Sequence, residues 1–153
     1  YLDEKDGYMV TGFVTLTNFD GRVYETYFDE NGRQAKVGWN MIGGLPFCFR
    51  KNWGVIYLVK NETIWNVPLN GNEGRYGVDE NGRIRVGWYE DPNYADYPVI
   101  YYFSPYTYKA YDDGWNKIDG YWYYFYPGGS MASNTEIDGY KIGSNGIAYD
   151  YPG

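Results

Sequence analysis

The chain contains no histidine and only one cysteine, and both scarcities limit the chemistry available to it. Without an imidazole, neither a Ser-His-Asp triad nor a Cys-His pair can be assembled, and histidine-containing zinc sites are excluded for the same reason. A single cysteine also excludes an internal disulfide framework. Cys48 stands in the apolar segment Leu-Pro-Phe-Cys-Phe, so we expect a small buried hydrophobe there rather than a reactive thiol.

Positive charge and long apolar runs are scarce as well. The 153 residues include 13 Lys and Arg against 20 Asp and Glu, a formal net charge of −7, and the pI is about 4.5. Nucleic-acid-binding domains normally carry a basic stripe, and anionic membrane surfaces attract basic segments. No apolar run approaches the ~20 residues of a membrane span. We therefore predict neither nucleic-acid binding nor membrane insertion.

Aromatic residues and glycine are abundant instead. Aromatics make up 22% of the chain, with 21 Tyr and 6 Trp, and there are also 21 Gly. The mean hydropathy is −0.62, and aliphatic residues are few. Aromatic rings, each burying roughly 150–250 Å², must therefore supply most of the core. Many short strands joined by tight glycine turns fit this composition.

One segment is reused along the chain. The pentapeptide Asp-Glu-Asn-Gly-Arg occurs at 29–33 and again at 79–83. Each copy is followed by a Gly-Trp pair, which ends at Trp39 and at Trp88, and a third pair ends at Trp115. Repetition of an aromatic strand and a glycine turn indicates a repeat protein.

Six repeats can be defined from a pattern of an opening aromatic or its equivalent, a hydrophobe, a turn ending in Gly, an aromatic strand and a second Gly turn. In the fourth, an insertion rich in Asp, Asn, Tyr and Pro separates Trp88 from the aromatic strand 101–103. We predict one repeat array over 1–153, in which 1–12 are the tail of a preceding repeat. Because the chain opens at Tyr1 within a motif, we interpret it as a mature or excised piece of a longer protein. The repeats lie near 13–32, 39–54, 65–82, 88–107, 115–129 and 135–146.

Each repeat predicts a β-hairpin, because turn glycines adopt positive φ without steric cost. No long stretch shows helical periodicity, and glycine interrupts the sequence throughout. A single hairpin is marginal in water, so the hairpins must stack on their neighbours. The predicted fold class is all-β, a β-hairpin repeat solenoid. Residues 45–70 depart from the pattern, since 55–60 and 63–69 indicate two longer strands around 61–62, which would form an inserted extended hairpin.

Residues 114–132 carry a family resemblance. Their sequence, Gly-Trp-Asn-Lys-Ile-Asp-Gly-Tyr-Trp-Tyr-Tyr-Phe-Tyr-Pro-Gly-Gly-Ser-Met-Ala, resembles the cell-wall-binding (choline-binding) repeats of Gram-positive surface proteins. The glucan-binding repeats of glucosyltransferases and the repeats of clostridial toxins are similar too. The resemblance extends to 6–39 and 76–88 and is weakest over 45–75. It implies a hairpin solenoid of the choline-binding-repeat type, a secreted and wall-attached location, and a non-catalytic attachment role, without specifying the ligand.

The same resemblance implies ligand-binding residues. In choline-binding members, aromatics from consecutive hairpins enclose the quaternary ammonium, since a cation is attracted to ring faces by about 0.5–2 kcal/mol per contact. The matching residues here are Trp115, Trp122 and Tyr124, with Tyr140 from the next repeat. The corresponding positions of other repeats carry Pro, Ile, Glu or Cys, so repeat 5 alone has the full aromatic set.

The other Gly-Trp tryptophans, Trp39 and Trp88, are further candidates for a cage or a sugar platform. Their alternative role is to close the core between hairpins, and this applies to Trp115 as well. Exposed Tyr and Trp also stack on sugar rings, and the segments 91–97 and 101–111 are dense in Tyr, Asp, Asn and Pro. These segments are either a carbohydrate surface or a Tyr-rich hairpin with a decorated loop.

The carboxylates do not define a metal or catalytic site. Oxygens of the Asp-Glu-Asn-Gly turns suit calcium, but they lack the ligand set of an EF-hand loop, and Asn-Gly forms a hairpin turn without a metal. The remaining acidic residues are scattered over turns, so no glycosidase pair is indicated. We predict no metal, no cofactor and no enzymatic activity.

These observations predict a non-catalytic cell-wall or carbohydrate-binding module of a secreted or surface protein, which binds through aromatic grooves between hairpins. The expected partner is a cell-wall polymer, either choline-bearing teichoic acid or another glycan, or a host surface ligand. The alternative is a structural spacer or adhesin region that mediates protein–protein interaction at the cell surface.

Overall fold

The computed structural model describes residues 9–153, so most of the predicted tail at 1–12 lies outside the described residues. This part of the chain contains strands and no helix, and therefore no helix of the length and hydrophobicity that a membrane crossing requires. The strands are β1 (Gly12–Thr17), β2 (Val23–Phe28), β3 (Gly38–Ile42), β4 (Leu45–Asn52), β5 (Val55–Leu58), β6 (Glu62–Ile64), β7 (Tyr76–Val78), β8 (Gly87–Glu90), β9 (Ile100–Phe103), β10 (Gly114–Ile118), β11 (Tyr121–Phe125), β12 (Thr135–Ile137) and β13 (Tyr140–Ile142).

Every sheet joins strands that follow one another in the sequence. Antiparallel pairs form between β1 and β2, β8 and β9, β10 and β11, and β12 and β13. Strands β3, β4 and β5 form a three-stranded sheet, and β6 pairs with β7. The prediction of an all-β hairpin-repeat fold is thereby confirmed.

Two-residue turns close several of these hairpins. Between β10 and β11, Asp119 and Gly120 have φ of 51° and 89°. Positive φ at both central residues defines the type I′ turn, whose twist matches that of the flanking strands. Gly, Asn and Asp occupy this conformation at the least cost. The turns at 43–44, 70–71 and 138–139 have the same geometry.

The repeated pentapeptide forms a second kind of turn. The backbone N–H of Asp29 donates to the Arg33 carbonyl at 2.8 Å. Its side-chain Oδ1 accepts the backbone N–H groups of Asn31 and Arg33, each at 2.9 Å. Asp79 makes the same contacts in the second copy. These carboxylates therefore stabilise the turn itself, a local role typical of Asp.

The described residues form two compact units. The first comprises residues 9–62 and Val78–Ile84, and the second Thr63–Gly77 and Arg85–Gly153. In the first unit, the core cluster consists of Ala35, Phe47, Phe49 and Leu58. In the second unit, one cluster contains Val99, Tyr101, Phe103 and Ala110, and another contains Ala132, Ile142 and Ala148. Aliphatic side chains such as Leu58, Val99 and Ile142 thus share the core with aromatic rings and alanines, so rings supply less of it than the composition predicts.

Residues 45–70 do contain an extended hairpin, but its pairing differs from the sequence interpretation. Strand β4 is eight residues long and pairs with β3 on one side and with β5 on the other. Strand β6 pairs with β7 instead, so the segments 55–60 and 63–69 do not pair with each other. The physical reason is a two-residue turn at Trp53 and Gly54, which folds β5 directly back onto β4.

Candidate ligand-binding site

Strand register sets the geometry of each candidate site. Side chains directly opposite one another in an antiparallel pair lie on the same face of the sheet. The opening aromatic of a hairpin therefore contacts the aromatic opposite it on the return strand, with ring centroids 5.0 to 5.3 Å apart. The pairs are Phe13 with Tyr27, Trp88 with Tyr102, and Trp115 with Tyr124.

Trp88 lies at the centre of a ring cluster in the second compact unit. Its indole contacts the edge of Tyr102 in the same hairpin, at 5.0 Å and 68°, and Tyr123 of the following hairpin, at 4.8 Å and 62°. Trp88 is still 42% exposed. Burial raises the pKa of the Tyr102 and Tyr123 phenols above its ordinary value.

A groove of about 330 Å³ opens beside this cluster. We call it the Trp88 groove; it is lined by Trp88, Glu90, Ile100, Tyr123 and Met131, among others. Its size is in the range of small-ligand pockets, ~300–1,000 Å³. Ring surface and the carboxylate of Glu90, an exposed residue, line the same space. This combination attracts a cation.

The four residues singled out by the resemblance lie together around a fifth ring, Tyr151. Tyr151 stacks on Trp115 with centroids 3.8 Å apart and planes 9° apart. It also contacts Trp122 edge-on at 5.1 Å and Tyr140 at 5.1 Å, while Trp115 contacts Tyr124 at 5.3 Å. In this group, the Trp115 cluster, a tyrosine covers one face of the central indole.

Further contacts hold the Trp115 cluster in place. The Trp115 Nε1–H donates to Oδ2 of Asp138, a turn residue of the next hairpin, at 2.9 Å. The indole has no other polar atom, so this bond satisfies the hydrogen-bonding capacity of the side chain. Gly153 packs on Trp122, and a Cβ on that glycine would stand 2.8 Å from the indole. The cluster is therefore well ordered by contacts within the protein.

The first compact unit contains a less polar version of the same arrangement. Phe13 contacts Tyr27 of its own hairpin at 5.0 Å and Phe47 of the next hairpin at 5.1 Å. Phe47 belongs to the buried core of this unit. Phe47 is core and Tyr27 packs against it, whereas Phe13 is 40% exposed. Phenylalanine here replaces the tryptophan found at the opening position of other hairpins.

Trp39 lies in a different environment from the other candidates. It is half-buried, and the residue opposite it in the β3–β4 pair is Cys48 rather than an aromatic. Cys48 is 1% exposed, and burial raises the pKa of its thiol to about 11. The expectation of a buried cysteine is confirmed.

The individual residues proposed from the sequence do not include Tyr102, Tyr123 or Tyr151, although Tyr102 lies in the segment 101–111 that was considered as a carbohydrate surface. The first two lie within runs of aromatic residues, where register decides which ring faces the neighbouring hairpin. A correct strand alignment would have identified Tyr102, because it lies opposite a Gly-Trp tryptophan. No sequence signal connects Tyr151 to Trp115, which is 36 positions earlier.

No protein-family model and no curated protein significantly matches the sequence. Solved structures from Streptococcus pneumoniae are similar to it. CbpJ has 28% identity and a TM-score of 0.73 over 97% of this chain and 44% of CbpJ. The modular autolysin LytC, in complex with a synthetic peptidoglycan ligand, has 26% identity and a TM-score of 0.68 over 96% of this chain and 30% of LytC.

A third similarity is of the fold alone. The choline-binding domain of CbpL, also from Streptococcus pneumoniae, has 23% identity and a TM-score of 0.60 over 90% of this chain and 64% of that structure. The chain spans less than half the length of CbpJ and of LytC. The repeated motif, the hairpin fold and these similarities together make the chain similar to choline-binding repeat proteins.

Proposed function

We propose that the chain is a non-catalytic attachment module of a secreted, wall-attached protein, and that it binds choline-bearing polymer of a Gram-positive cell wall. The observation that carries the proposal is the Trp88 groove. There, an exposed indole, a tyrosine from the next hairpin and the carboxylate of Glu90 line one space. A quaternary ammonium has the charge and the apolar surface that these groups attract.

The strength of such a site is modest. One or two ring contacts contribute about 0.5–2 kcal/mol each, and Glu90 adds the attraction of an exposed charge. A total near 4 kcal/mol corresponds to a Kd of about 1 mM. A wall polymer offers many copies of its substituent, so several weak sites on one protein can still give firm attachment through effective concentration.

The similar solved structures support this proposal for the chain itself. The CbpL structure is that of a choline-binding domain, and LytC is an autolysin whose structure was solved with a synthetic peptidoglycan ligand. The absence of histidine and the turn-stabilising role of Asp29 and Asp79 favour attachment over catalysis in this chain.

Choline titration tests the proposal. We expect choline chloride to shift the Trp88 indole signal in ¹H–¹⁵N spectra saturably. We also expect Trp88→Ala to weaken binding about tenfold, equivalent to ~1.4 kcal/mol. Tyr106→Ala is the control, since this side chain is 87% exposed and lies outside the groove. Equal choline affinity in the Trp88 and Tyr106 variants would contradict the proposal.

The alternative role as a spacer or adhesin region is favoured by one observation. The opening aromatic Phe13 packs on the core residue Phe47, so an opening aromatic of the first compact unit can serve structure alone. If the array is purely structural, Trp88→Ala should bind wall polymer no differently from the unsubstituted protein. It would instead capture a protein from host-cell extracts in a pull-down.

A further inference from the structure

The turn between β4 and β5 carries a tryptophan where small or amide side chains normally stand. Trp53 has φ 51° and Gly54 φ 74°, the type I′ geometry. A bulky residue at positive φ is strained, because its Cβ crowds the backbone. The first position of the other two-residue turns described above is held by Gly43, Asn70, Asp119 and Asp138. Trp53 therefore differs from the residues at this position in the other turns, and such strained residues often have a functional role.

Neighbouring residues fix the orientation of this indole. The Arg22 guanidinium carbon lies 4.4 Å from the ring centroid, and the Tyr57 ring lies 5.7 Å away with planes 34° apart. The Trp53 backbone N–H donates to Asn52 Oδ1 at 2.9 Å. The residue nevertheless remains 46% exposed. A ring that is oriented by its neighbours yet accessible to solvent is a preorganised platform, since little freedom remains to be lost on binding.

Trp53 and Tyr57 form part of the wall of a groove of about 520 Å³, which lies within the first compact unit. Residues 22–25, which include the start of strand β2, contribute to the lining, and so do β5 and the segment that follows it. Strand β5 belongs to the added hairpin that departs from the repeat pattern. The groove, which we call the Trp53 groove, therefore exists because of this added hairpin.

Charges in the Trp53 groove are balanced. Arg22 and Lys60 oppose Glu25 and Glu62 among the lining residues. Lys60 Nζ lies 2.8 Å from Glu25 Oε2, and Glu62 pairs with Arg50. Donor N–H groups and acceptor oxygens thus stand side by side. Sugar hydroxyls both donate and accept, so they can bond to such pairs without a net charge.

The same contacts disfavour a cationic ligand. The guanidinium of Arg22 already lies over the Trp53 ring, and a second cation there would be repelled. We therefore propose that the Trp53 groove binds a neutral glycan chain, with one pyranose ring stacked on the face of Trp53 opposite Arg22 and hydroxyls bonded to the Glu25–Lys60 pair. This site shares no residue with the Trp88 groove and does not depend on choline binding.

Titration of the intact chain with two neutral tetrasaccharides, cellotetraose and N,N′,N″,N‴-tetraacetylchitotetraose, tests the proposal. We expect at least one of them to shift the Trp53 indole signal saturably in ¹H–¹⁵N spectra at millimolar concentration. Choline chloride should leave that signal unchanged. If neither sugar shifts the Trp53 signal, or if choline shifts it instead, the proposal fails. Either result leaves the choline response of Trp88 separately measurable.

Trp53→Asn distinguishes a strained binding residue from a purely structural one. Asn fits positive φ, so we expect a melting temperature about 2–4 °C higher, together with at least tenfold weaker sugar binding. Trp65→Asn is the matched control, because Trp65 is 44% exposed but is not among the residues with positive φ. It should bind sugar normally and gain no stability. Undiminished sugar binding by Trp53→Asn would overturn the proposal.

Discussion

Tyr151 controls how much of Trp115 a ligand can reach. The stacked pair, with centroids 3.8 Å apart, leaves no room for a cation on that face of the indole. The residue set that most resembles a choline cage is thus closed by a side chain of the same protein. The Trp88 groove, by contrast, is open, although its repeat resembles the family less.

Tyr151→Ala is expected to open the Trp115 cluster. Removing the ring uncovers an indole that Tyr124 and Tyr140 still flank, so a second choline site should appear. Calorimetric titration would show the added site, and the Trp115 indole signal would then respond to choline. Tyr149→Ala is the matched control, since Tyr149 is exposed and contacts Tyr121 instead. An unresponsive Trp115 signal in Tyr151→Ala would show that the cluster is only structural.

At this scale the sequence predicts part of the site. Trp115, Trp122, Tyr124 and Tyr140 were identifiable from a motif, and the structure places them together. Tyr151 was not identifiable, because its contact with Trp115 depends on the path of the chain through several later turns. Whether any of these residues binds a ligand stays a prediction until titration.

Among the elements, glycine turns can be compared in pairs. Gly82 and Gly71 have nearly equal φ, 79° and 78°. A Cβ on Gly82 would stand 2.7 Å from a Leu58 methyl carbon, whereas one on Gly71 would meet nothing within 4 Å. Substituting alanine at each of these two glycines therefore distinguishes the cost of backbone strain, which both share, from the cost of steric overlap, which only Gly82 has.

Gly71→Ala should cost about 1–2 kcal/mol, since an L-residue is placed in the left-handed region. Gly82→Ala should cost a further ~1–3 kcal/mol, because the added methyl group overpacks the core around Leu58. Urea denaturation of both variants measures the difference. Equal destabilisation would mean that Leu58 moves aside at little cost.

Hairpins were predictable where their turns use ordinary turn residues. The Asp-Gly and Gly-Gly pairs between β10 and β11 and between β3 and β4 are visible in the sequence. The β4–β5 hairpin was not predicted: the second repeat ends at Gly54, but Trp53 before it is not a turn residue, so no return strand was assigned there. The sequence places the turn at 61–62 instead, where an asparagine suggests one. The failure falls at the strained residue to which we assign a binding role, as expected when local preference and function conflict.

For the whole molecule, buried acidic groups predict a loss of stability at high pH. Burial raises the pKa of the Cys48 thiol from 9.0 to about 11. Burial also raises the pKa of Tyr76, Tyr101, Tyr102 and Tyr123. Each group holds its proton more tightly when folded than when unfolded. Their contribution to the free energy of unfolding is therefore intact below the unfolded pKa and is lost as pH rises towards the folded one.

Denaturation between pH 7 and 11 should show this decline beginning near the unfolded cysteine pKa of 9.0. The cysteine alone accounts for about 2–3 kcal/mol, since each pKa unit corresponds to ~1.4 kcal/mol. Cys48→Ala should lose stability less steeply between pH 9 and 11, with the tyrosines responsible for the remainder. Identical pH profiles for the two proteins would show that Cys48 does not stay buried as a thiol.

In every sheet of residues 9–153, strands pair only with strands next to them in the sequence. This pattern affects the folding rate. Loop closure between near neighbours costs little entropy, and chains rich in local contacts fold quickly. Any hairpin can nucleate and its neighbours can then add to it, so this chain should fold faster than β-sandwiches of equal length. Such an array can also gain or lose a hairpin by duplication or deletion without disturbing the register of the rest.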